Sequence, residues 1–273
     1  MQLVVSANLS AEMAANPGVQ FQPLEADPAL AHQAAYTEHD DQLALTHAEC
    51  FRLTRAQATT PVRLALFDMD STLIPFECID ELAVEAGVGE RVAAVTERAM
   101  AGELDFVASF RERLGCIAGL DVAAVARINA RLTLMDGAAA LMAEARARGI
   151  KTALVSGGFE PFAGPIAARL GMDEFHSNVL DATDGALTGL AVGHIVDATR
   201  KAEILSDMAQ SMGLERDQVM AVGDGSNDLK MIALAGKGVA FRAKPAVRKA
   251  APLAVNSLGL DALIWLWRWA DAL

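Results

Sequence analysis

The sequence predicts an α/β fold: a mostly parallel sheet with helices on both faces. Short apolar runs that read as buried strands alternate with helical patterns from residue 61 onward. Several of these runs end abruptly in polar residues, as expected where parallel strands end at a ligand site. The chain has 273 residues and is 53% hydrophobic, so it can bury a large core.

Residues 1–60 follow a different pattern and are predicted to form a small N-terminal α/β appendage of unknown role. They hold no cluster of catalytic residue types, and a polar break near Pro61 ends them. We expect a structural or oligomerising role rather than ligand sensing. The patterns predict strands at Leu3–Ser6 and Val19–Pro23, a helix at Ser10–Ala15, and one or two helices within Ala29–Arg55.

Residues 61–273 form the predicted main domain, and a helical insertion at about 76–135 interrupts it. Apolar residues recur there at three- and four-residue spacing, and glycines separate the patterns. A helical unit inserted between two strands of such a sheet is expected to cover the ligand site as a cap. The predicted helices are Glu77–Ala86, Glu90–Met100, Asp105–Leu114 and Asp121–Leu132.

The remainder of the main domain continues the alternation of strands and helices. Strand-like runs around Asp184-Gly185 predict a β-hairpin at about 175–192. In the last helix, Trp265 and Trp269 share a face and are expected to pack on the body of the protein. The other predicted strands are Ile150–Val155, Gln218–Val222, Gly238–Phe241 and Leu253–Val255; the helices are Gly137–Gly149, Pro161–Leu170, Thr199–Met212, Leu229–Ala235, Pro245–Ala251 and Asp261–Leu273.

Charge and composition narrow the class of partner. The net charge of -12 and the pI near 4.8 argue against a nucleic-acid or anionic-membrane surface. Three widely spaced cysteines form neither a disulfide framework nor a metal cluster. With no signal-peptide pattern and no run of about 18 apolar residues, we expect a cytoplasmic protein. A homo-oligomer is compatible with the sequence.

The first strand of the main domain ends in two carboxylates, Asp68 and Asp70, followed by Ser71 and Thr72. Side chains two residues apart in an extended segment point the same way, so both carboxylates can face one site. Adjacent carboxylates repel each other, and they need either a cation or a shared proton. The pair predicts a metal site with a nucleophile or an acid–base pair, with an ordinary polar turn as the alternative.

Related residue types follow the later strands. Ser156 and Gly157 offer a hydroxyl and a backbone amide to an anion, and Lys201 offers a charge suited to phosphate. Asp224 and Asp228 add hard oxygen ligands of the kind that Mg²⁺ prefers, and Asn227 lies between them. Together with Asp68, these residues make a set suited to phosphoryl transfer.

These motifs resemble those of the haloacid dehalogenase superfamily, and within it the phosphatases that act on phosphoserine. The resemblance covers roughly residues 62–251, includes the cap, and is not visible in the first sixty residues. It implies a Rossmann-like sheet with an inserted helical cap. The stretches that carry it are Asp68–Thr72, Glu77–Glu81, Thr96–Met100, Gly102–Phe106, Ser156–Phe159 and Gly223–Asp228.

The resemblance implies roles for the matching residues. Asp68 would attack phosphorus to form an aspartyl phosphate, and Asp70 would protonate the leaving oxygen and then activate water. Mg²⁺ would be held by the Asp68 carboxylate, the Asp70 carbonyl and Asp224, with Asp228 nearby or bound through water. The phosphoryl oxygens would be held by Ser156, Gly157 and Lys201, and Asn227 would support them.

From the cap side, the resemblance implies that Glu77 meets the substrate ammonium and Arg113 its carboxylate, with Met100 and Phe106 lining the pocket. Opposite charges at Glu77 and Arg113 suit an amino-acid zwitterion, although the neighbouring Arg111 is a rival for the second role.

The expected function is therefore Mg²⁺-dependent hydrolysis of O-phospho-L-serine, the last step of serine biosynthesis. Two alternatives remain at this stage: a phosphatase for another small phosphate ester, or a catalytically silent binding protein. The intact set Asp68, Asp70, Lys201 and Asp224 favours an enzyme.

Overall fold

A four-stranded antiparallel sheet forms the N-terminal part of the chain. The structure is a computed structural model that describes residues 1–273. The strands are β1 (Gln2–Ser6), β2 (Gln22–Pro23), β3 (Gln33–Thr37) and β4 (Ala48–Arg52), in the order β2-β3-β1-β4. Helices α1 (Leu9–Ala14) and α2 (Arg55–Thr59) accompany them.

The prediction of one or two helices within Ala29–Arg55 is wrong, because β3 and β4 occupy most of its ordered length. Both strands pair antiparallel with β1, one on each side. Tyr36 faces the main hydrophobic core, whereas Ala35 faces a small cluster that includes Leu9 of α1. This two-residue alternation, together with the ladder bonds to β1, outweighs the helix propensity of the alanines.

A seven-stranded, mostly parallel sheet forms the centre of the rest of the chain and confirms the predicted fold class. Its strands are β5 (Leu64–Phe67), β6 (Lys151–Phe159), β7 (Glu174–Thr183), β8 (Ala186–Val192), β9 (Val219–Gly223), β10 (Lys237–Phe241) and β11 (Leu253–Val255). The order is β11-β10-β9-β5-β6-β7-β8, and only β7 and β8 pair antiparallel. Since β5 lies between β6 and β9, the carboxyl ends of these three strands meet at one edge.

Helices cover both faces of this sheet because each central strand is apolar on both sides. Leu64 and Leu66 of β5 pack in one cluster, and Phe67 packs in the other. The helices that follow the inserted segment are α7 (Ala138–Ala147), α8 (Glu160–Leu170), α9 (Ala198–Ser211), α10 (Leu229–Leu234), α11 (Pro245–Ala250) and α12 (Ile264–Ala272). None of the helices is both long enough and apolar enough to cross a lipid bilayer.

Four helices are inserted between β5 and α7: α3 (Cys78–Glu85), α4 (Gly89–Met100), α5 (Phe106–Cys116) and α6 (Ala123–Arg131). The β7–β8 hairpin supports this helical insertion from the side. Gly119 N donates to Leu187 O at 2.7 Å, and Leu187 N donates to Leu120 O at 2.8 Å. The loop between α5 and α6 is thereby fixed to the edge of the sheet.

The N-terminal sheet and the main sheet share one hydrophobic core through α12. Trp265 and Trp269 are buried, as expected, and Trp267 is buried as well. The Trp269 ring lies 6.0 Å from that of Tyr36 in β3. Residues of β1, β4 and α12 therefore belong to the same cluster as those of β5 and β9.

A buried carboxylate fixes the N-terminal sheet to the loop after β11. Glu49 of β4 accepts hydrogen bonds from the backbone N–H groups of Asn256 and Ser257, both at 2.8 Å, and of Leu258 at 3.3 Å. Ser257 Oγ and Asn256 Nδ2 also donate to it, at 3.1 Å each. Hydrogen bonds to a charged group contribute more than neutral ones, so Glu49 is a strong point of attachment.

We expect Glu49→Gln to lower the free energy of unfolding by about 2–4 kcal/mol. The substitution removes the negative charge, and it replaces one of the two acceptor oxygens with an NH₂ donor that faces another N–H group. Urea unfolding measures this loss. Glu38→Gln is the matched control, since Glu38 is 65% exposed and pairs with Arg55 on the surface. Such a pair contributes about 0–1 kcal/mol. Equal losses in the two variants would contradict a specific role for Glu49.

Candidate active site

A buried lysine joins two carboxylates at the carboxyl edge of the main sheet. Lys201 Nζ of α9 lies 2.6 Å from Asp68 Oδ1, just after β5, and 2.7 Å from Asp228 Oδ1, in the loop after β9. Lys201 and Asp228 are fully buried, and Asp68 is nearly so. Three elements that are distant in sequence therefore meet at one ammonium group.

The charges of this trio depend on one another. Burial raises the pKa of Asp68 well above its ordinary value, as does the charge of Asp228, whereas Lys201 opposes the rise. Burial alone would lower the pKa of Lys201, but Asp228 and Asp68 together raise it above its ordinary value. The lysine therefore stays protonated, and its charge favours the ionised form of Asp68.

Asp224 completes a cluster of three carboxylates with Asp68 and Asp228. One oxygen of each lies within 4.8 Å of the others. Burial first, and then the charges of Asp228 and Glu77, raise the pKa of Asp224 to about 7. A hard divalent cation would relieve this repulsion, and oxygen donors suit it. The donor set therefore fits a divalent metal.

The carboxylate oxygens of Asp228 already have protein partners. Oδ1 accepts from Lys201, and Oδ2 accepts from the Gly225 backbone N–H at 2.9 Å. The Gly225 contact also fixes the loop that carries Asp224. Asp68 has only its Oδ1 occupied, and Asp224 has a single long contact, 3.5 Å from Thr72 Oγ1.

Asp70 lies beside this cluster, in the turn that leads into the helical insertion. Its Oδ1 accepts from the Cys78 backbone N–H at 3.1 Å, in the first turn of α3. Burial, followed by the charge of nearby Glu77, raises the pKa of Asp70 to about 7. A carboxyl group with such a pKa can both donate and accept a proton near neutral pH.

The segment Ser156–Gly158 lies inside a strand, so the prediction that the strand ends before Ser156 is wrong. β6 continues to Phe159, with an irregular register against β7 between Val155 and Phe159. Ser156 Oγ accepts from the Gly158 N–H at 2.8 Å. A Cβ at Gly158 would lie 2.8 Å from Asp70 Oδ2, so this backbone approaches Asp70 as only glycine allows.

The Gly157 peptide is fixed by Asn178, a buried residue of β7 that the sequence did not indicate. Asn178 Nδ2 donates to Gly157 O, and its Oδ1 accepts from Val196 N, both at 2.8 Å. The sequence around Asn178 shows only the pattern of a hairpin strand. Its contact with Gly157 depends on the pairing of β6 with β7, which the sequence does not show.

The helical insertion covers the carboxylates and encloses a cavity of about 500 Å³. Glu77 accepts from Ser71 Oγ at 2.9 Å, and the Arg113 guanidinium has a buried Nε without a hydrogen-bond partner. Phe106 stacks on Phe110, with ring centroids 6.2 Å apart. Met100 is 68% exposed at the rim.

The cavity brings most of the predicted site residues together. Its wall includes Asp68, Asp70, Glu77, Met100, Phe106, Arg113, Gly157, Asp224 and Asn227. The other predicted site residues do not line the cavity but are buried behind its wall: Ser156, Lys201 and Asp228. The rival Arg111 is exposed and outside the cavity.

Sequence reasoning missed Asp80, Phe110 and Lys244, which also line the cavity. Helical spacing could have indicated the first two, because Asp80 follows Glu77 by three positions and Phe110 follows Phe106 by four. Lys244 follows the end of a strand, as Asp68 does, but a single lysine there carries no motif.

Comparisons with known proteins show the family to which the chain belongs. Residues 62–236 match the family model of the haloacid dehalogenase-like hydrolases. The chain is 41% identical to a probable phosphoserine phosphatase of Schizosaccharomyces pombe, over 82% of this chain and 76% of that protein. It is 46% identical to a phosphoserine phosphatase of Haemophilus influenzae, over 74% of this chain and 65% of that protein. That second match thus spans slightly less than two thirds of the relative.

Solved structures of such proteins have a similar fold. The structure of a probable phosphoserine phosphatase from Vibrio cholerae aligns with a TM-score of 0.82 at 34% identity, over 99% of this chain and 87% of that one. A substrate-bound phosphoserine phosphatase aligns with a TM-score of 0.70 at 38% identity, over 75% of this chain and 97% of that one. The chain therefore belongs to the haloacid dehalogenase-like hydrolase family.

Proposed function

We propose that this chain hydrolyses O-phospho-L-serine to L-serine and phosphate through an aspartyl-phosphate intermediate. The observation that carries the proposal is a single cavity with two kinds of wall. Its floor holds the carboxylates Asp68 and Asp70, and its roof holds the opposite charges of Glu77 and Arg113. The names of the relatives point to the same substrate.

In the first step, Asp68 is the nucleophile. Its carboxylate oxygen attacks phosphorus, and the bond from phosphorus to the serine oxygen breaks. Lys201 favours the ionised form of Asp68 and orients it, since it binds Oδ1 at 2.6 Å. Asp70 gives its proton to the departing serine oxygen, a role that suits a pKa of about 7.

In the second step, Asp70 is the base. Now ionised, it takes a proton from a water molecule, whose oxygen attacks the phosphorus of the aspartyl phosphate. The bond from phosphorus to the Asp68 oxygen breaks, and this releases phosphate and the free carboxylate. We assign the phosphoryl oxygens to the backbone of Gly157, which lines the cavity, and to the hydroxyl of Ser156 buried behind it, with Asn227 of the cavity wall in support.

Mg²⁺ is the cofactor that this donor set fits, and when bound it would neutralise the charges of the nucleophile and the phosphoryl group. We propose the Asp68 carboxylate, the Asp70 carbonyl and Asp224 as its ligands. Both Asp228 oxygens already accept from the protein, so we assign Asp228 to positioning Lys201 and Gly225, with its contact to the ion through water.

The substrate-binding part of the proposal rests on charge. A closed cavity removes the ammonium and carboxylate of phosphoserine from water, so each needs an opposite charge. Glu77 and Arg113 supply them, and Met100 and Phe106 enclose the carbon chain. We also propose residues 61–273 as the catalytic unit, with residues 1–60 supporting it through Glu49 and the shared core.

Substitution of each aspartate in turn distinguishes the proposed roles of Asp68 and Asp70. Asp68→Asn is expected to abolish turnover and the phosphoenzyme. Asp70→Asn is expected to lower kcat by about 10²–10⁴ while the attacking carboxylate remains. Acid quenching after mixing with labelled phosphoserine, followed by peptide mapping, measures both. A phosphorylated peptide that lacks Asp68 would refute the assignment.

The specificity of the cavity can be tested with two substrates. Glu77→Gln and Arg113→Ala are each expected to lower kcat/KM for phosphoserine about 10- to 150-fold, because each removes a charge-assisted hydrogen bond. Nitrophenyl phosphate, which lacks both groups, should be affected much less. Arg111→Ala is the matched control. Parallel losses on both substrates would mean that these residues shape the site rather than read the amino acid.

Metal binding has a readout that does not depend on activity. Mg²⁺ at about 100 times its dissociation constant should raise the stability of the wild-type chain by about 2.7 kcal/mol. Asp224→Asn should lose most of this Mg²⁺-dependent shift in thermal unfolding, whereas Asp207→Asn, at a 70% exposed side chain of α9, should keep it. An unchanged shift in Asp224→Asn, or full phosphatase activity in excess chelator, is the outcome that excludes this site.

A further inference from the structure

Lys244 is a cation at the mouth of the cavity that the proposed chemistry does not use. It follows β10 and lines the cavity from the side of the main sheet. Its side chain is exposed, and Nζ lies 3.8 Å from Met100 Sδ, at the end of α4. Lys244 and Met100 thus face each other where the helical insertion meets the main sheet.

The fold does not account for the charge of Lys244. No carboxylate lies within ion-pair distance of it, and a thioether is a weak acceptor. It also immediately precedes α11, the end of a helix at which a cation is unfavourable. A structural role would be served as well by an uncharged side chain.

The loop that presents Lys244 is held in place by Arg242. Arg242 has a φ of +43°, and its backbone N–H donates to Val255 O at 2.7 Å. Its Nε donates to Leu258 O at 3.2 Å, and its Nη2 lies 3.7 Å from Asp136. Lys244 is therefore directed to the mouth by a fixed backbone.

The balance of charges in the cavity wall indicates what a cation at this position can do. The carboxylates in the cavity wall are Asp68, Asp70, Glu77, Asp80 and Asp224, whereas its cations are Arg113 and Lys244. The whole chain has a net charge of -12. A phosphate monoester is a dianion near neutral pH, so it approaches an acidic protein and an acidic cavity. An unpaired cation at the opening of the cavity offsets this repulsion at the point where the substrate enters.

We propose that Lys244 is an entrance cation that captures anionic phosphate esters, and that it acts on capture rather than on the chemical steps. This inference rests on the proposed phosphatase function. Because the contact is exposed and electrostatic, it should raise kcat/KM, leave kcat unchanged, and weaken as salt is added. It should act on the phosphate charge and therefore on every phosphate monoester that the chain hydrolyses.

The test compares Lys244→Met with Lys249→Met. Lys249 is exposed on α11, the helix that Lys244 immediately precedes, and it lies outside the cavity. Both variants change the net charge equally. At low ionic strength, Lys244→Met should lower kcat/KM about three- to tenfold for phosphoserine and for nitrophenyl phosphate, with kcat unchanged. The deficit should close in about 0.5 M salt. The kcat/KM of Lys244→Arg should stay within twofold of the wild-type value, and that of Lys249→Met should equal the wild-type value.

Four results would overturn the inference. A fall in kcat would place Lys244 in the chemical steps, and a loss confined to phosphoserine would make it a contact for the amino-acid part. A salt-independent loss, or an equal loss in Lys249→Met, would remove the electrostatic account. If the wild-type chain hydrolyses nitrophenyl phosphate but not phosphoserine, the proposed substrate fails while the entrance test on nitrophenyl phosphate still decides the role of Lys244.

Discussion

The ammonium group of Lys201, buried between Asp68 and Asp228, is the interaction on which the geometry of the site depends. A buried ammonium without partners would be strongly unfavourable, and so would either buried carboxylate. The three side chains therefore stabilise one another or none of them is stable. Since they come from α9, from the end of β5 and from the loop after β9, their contact fixes these elements relative to one another. Asp68 is left with one oxygen free and in a defined position.

The floor and the roof of the cavity are linked through Asp70. Its carboxylate accepts from the Cys78 N–H, which belongs to the first turn of the helical insertion. The same turn carries Glu77, whose charge contributes to the raised pKa of Asp70. Glu77, the residue proposed to bind the substrate ammonium, thus lies close enough to Asp70, the proposed acid–base group, to affect its protonation. Under the proposed function, substrate binding and proton transfer share one electrostatic environment.

The parts of the site that the sequence predicted are those set by local pattern. Asp68, Asp70 and Asp224 follow apolar runs, and parallel strands bring their carboxyl ends together whatever the details of packing. The features of the site and of the fold that it missed depend on distant partners. Asn178 orients Gly157 only because β6 and β7 pair with an irregular register, and Glu49 is buried because a loop some two hundred residues later folds over it. The segment Ala29–Arg55 was misread because its alanines favour a helix, whereas the pairing with β1 that makes it a sheet is not local.

The dependence on Lys201 is tested most directly by the unfolding free energy of Lys201→Met, measured against pH in the presence of chelator and compared with wild type. The substitution leaves Asp68 and Asp228 buried without their cation, so the folded variant should take up a proton that the wild type does not. The account predicts a loss of about 3–5 kcal/mol at pH 7, and this loss should shrink as the pH is lowered toward 5 because protonation removes a buried charge. A small loss, or one that is the same at both pH values, would contradict the central place of this contact.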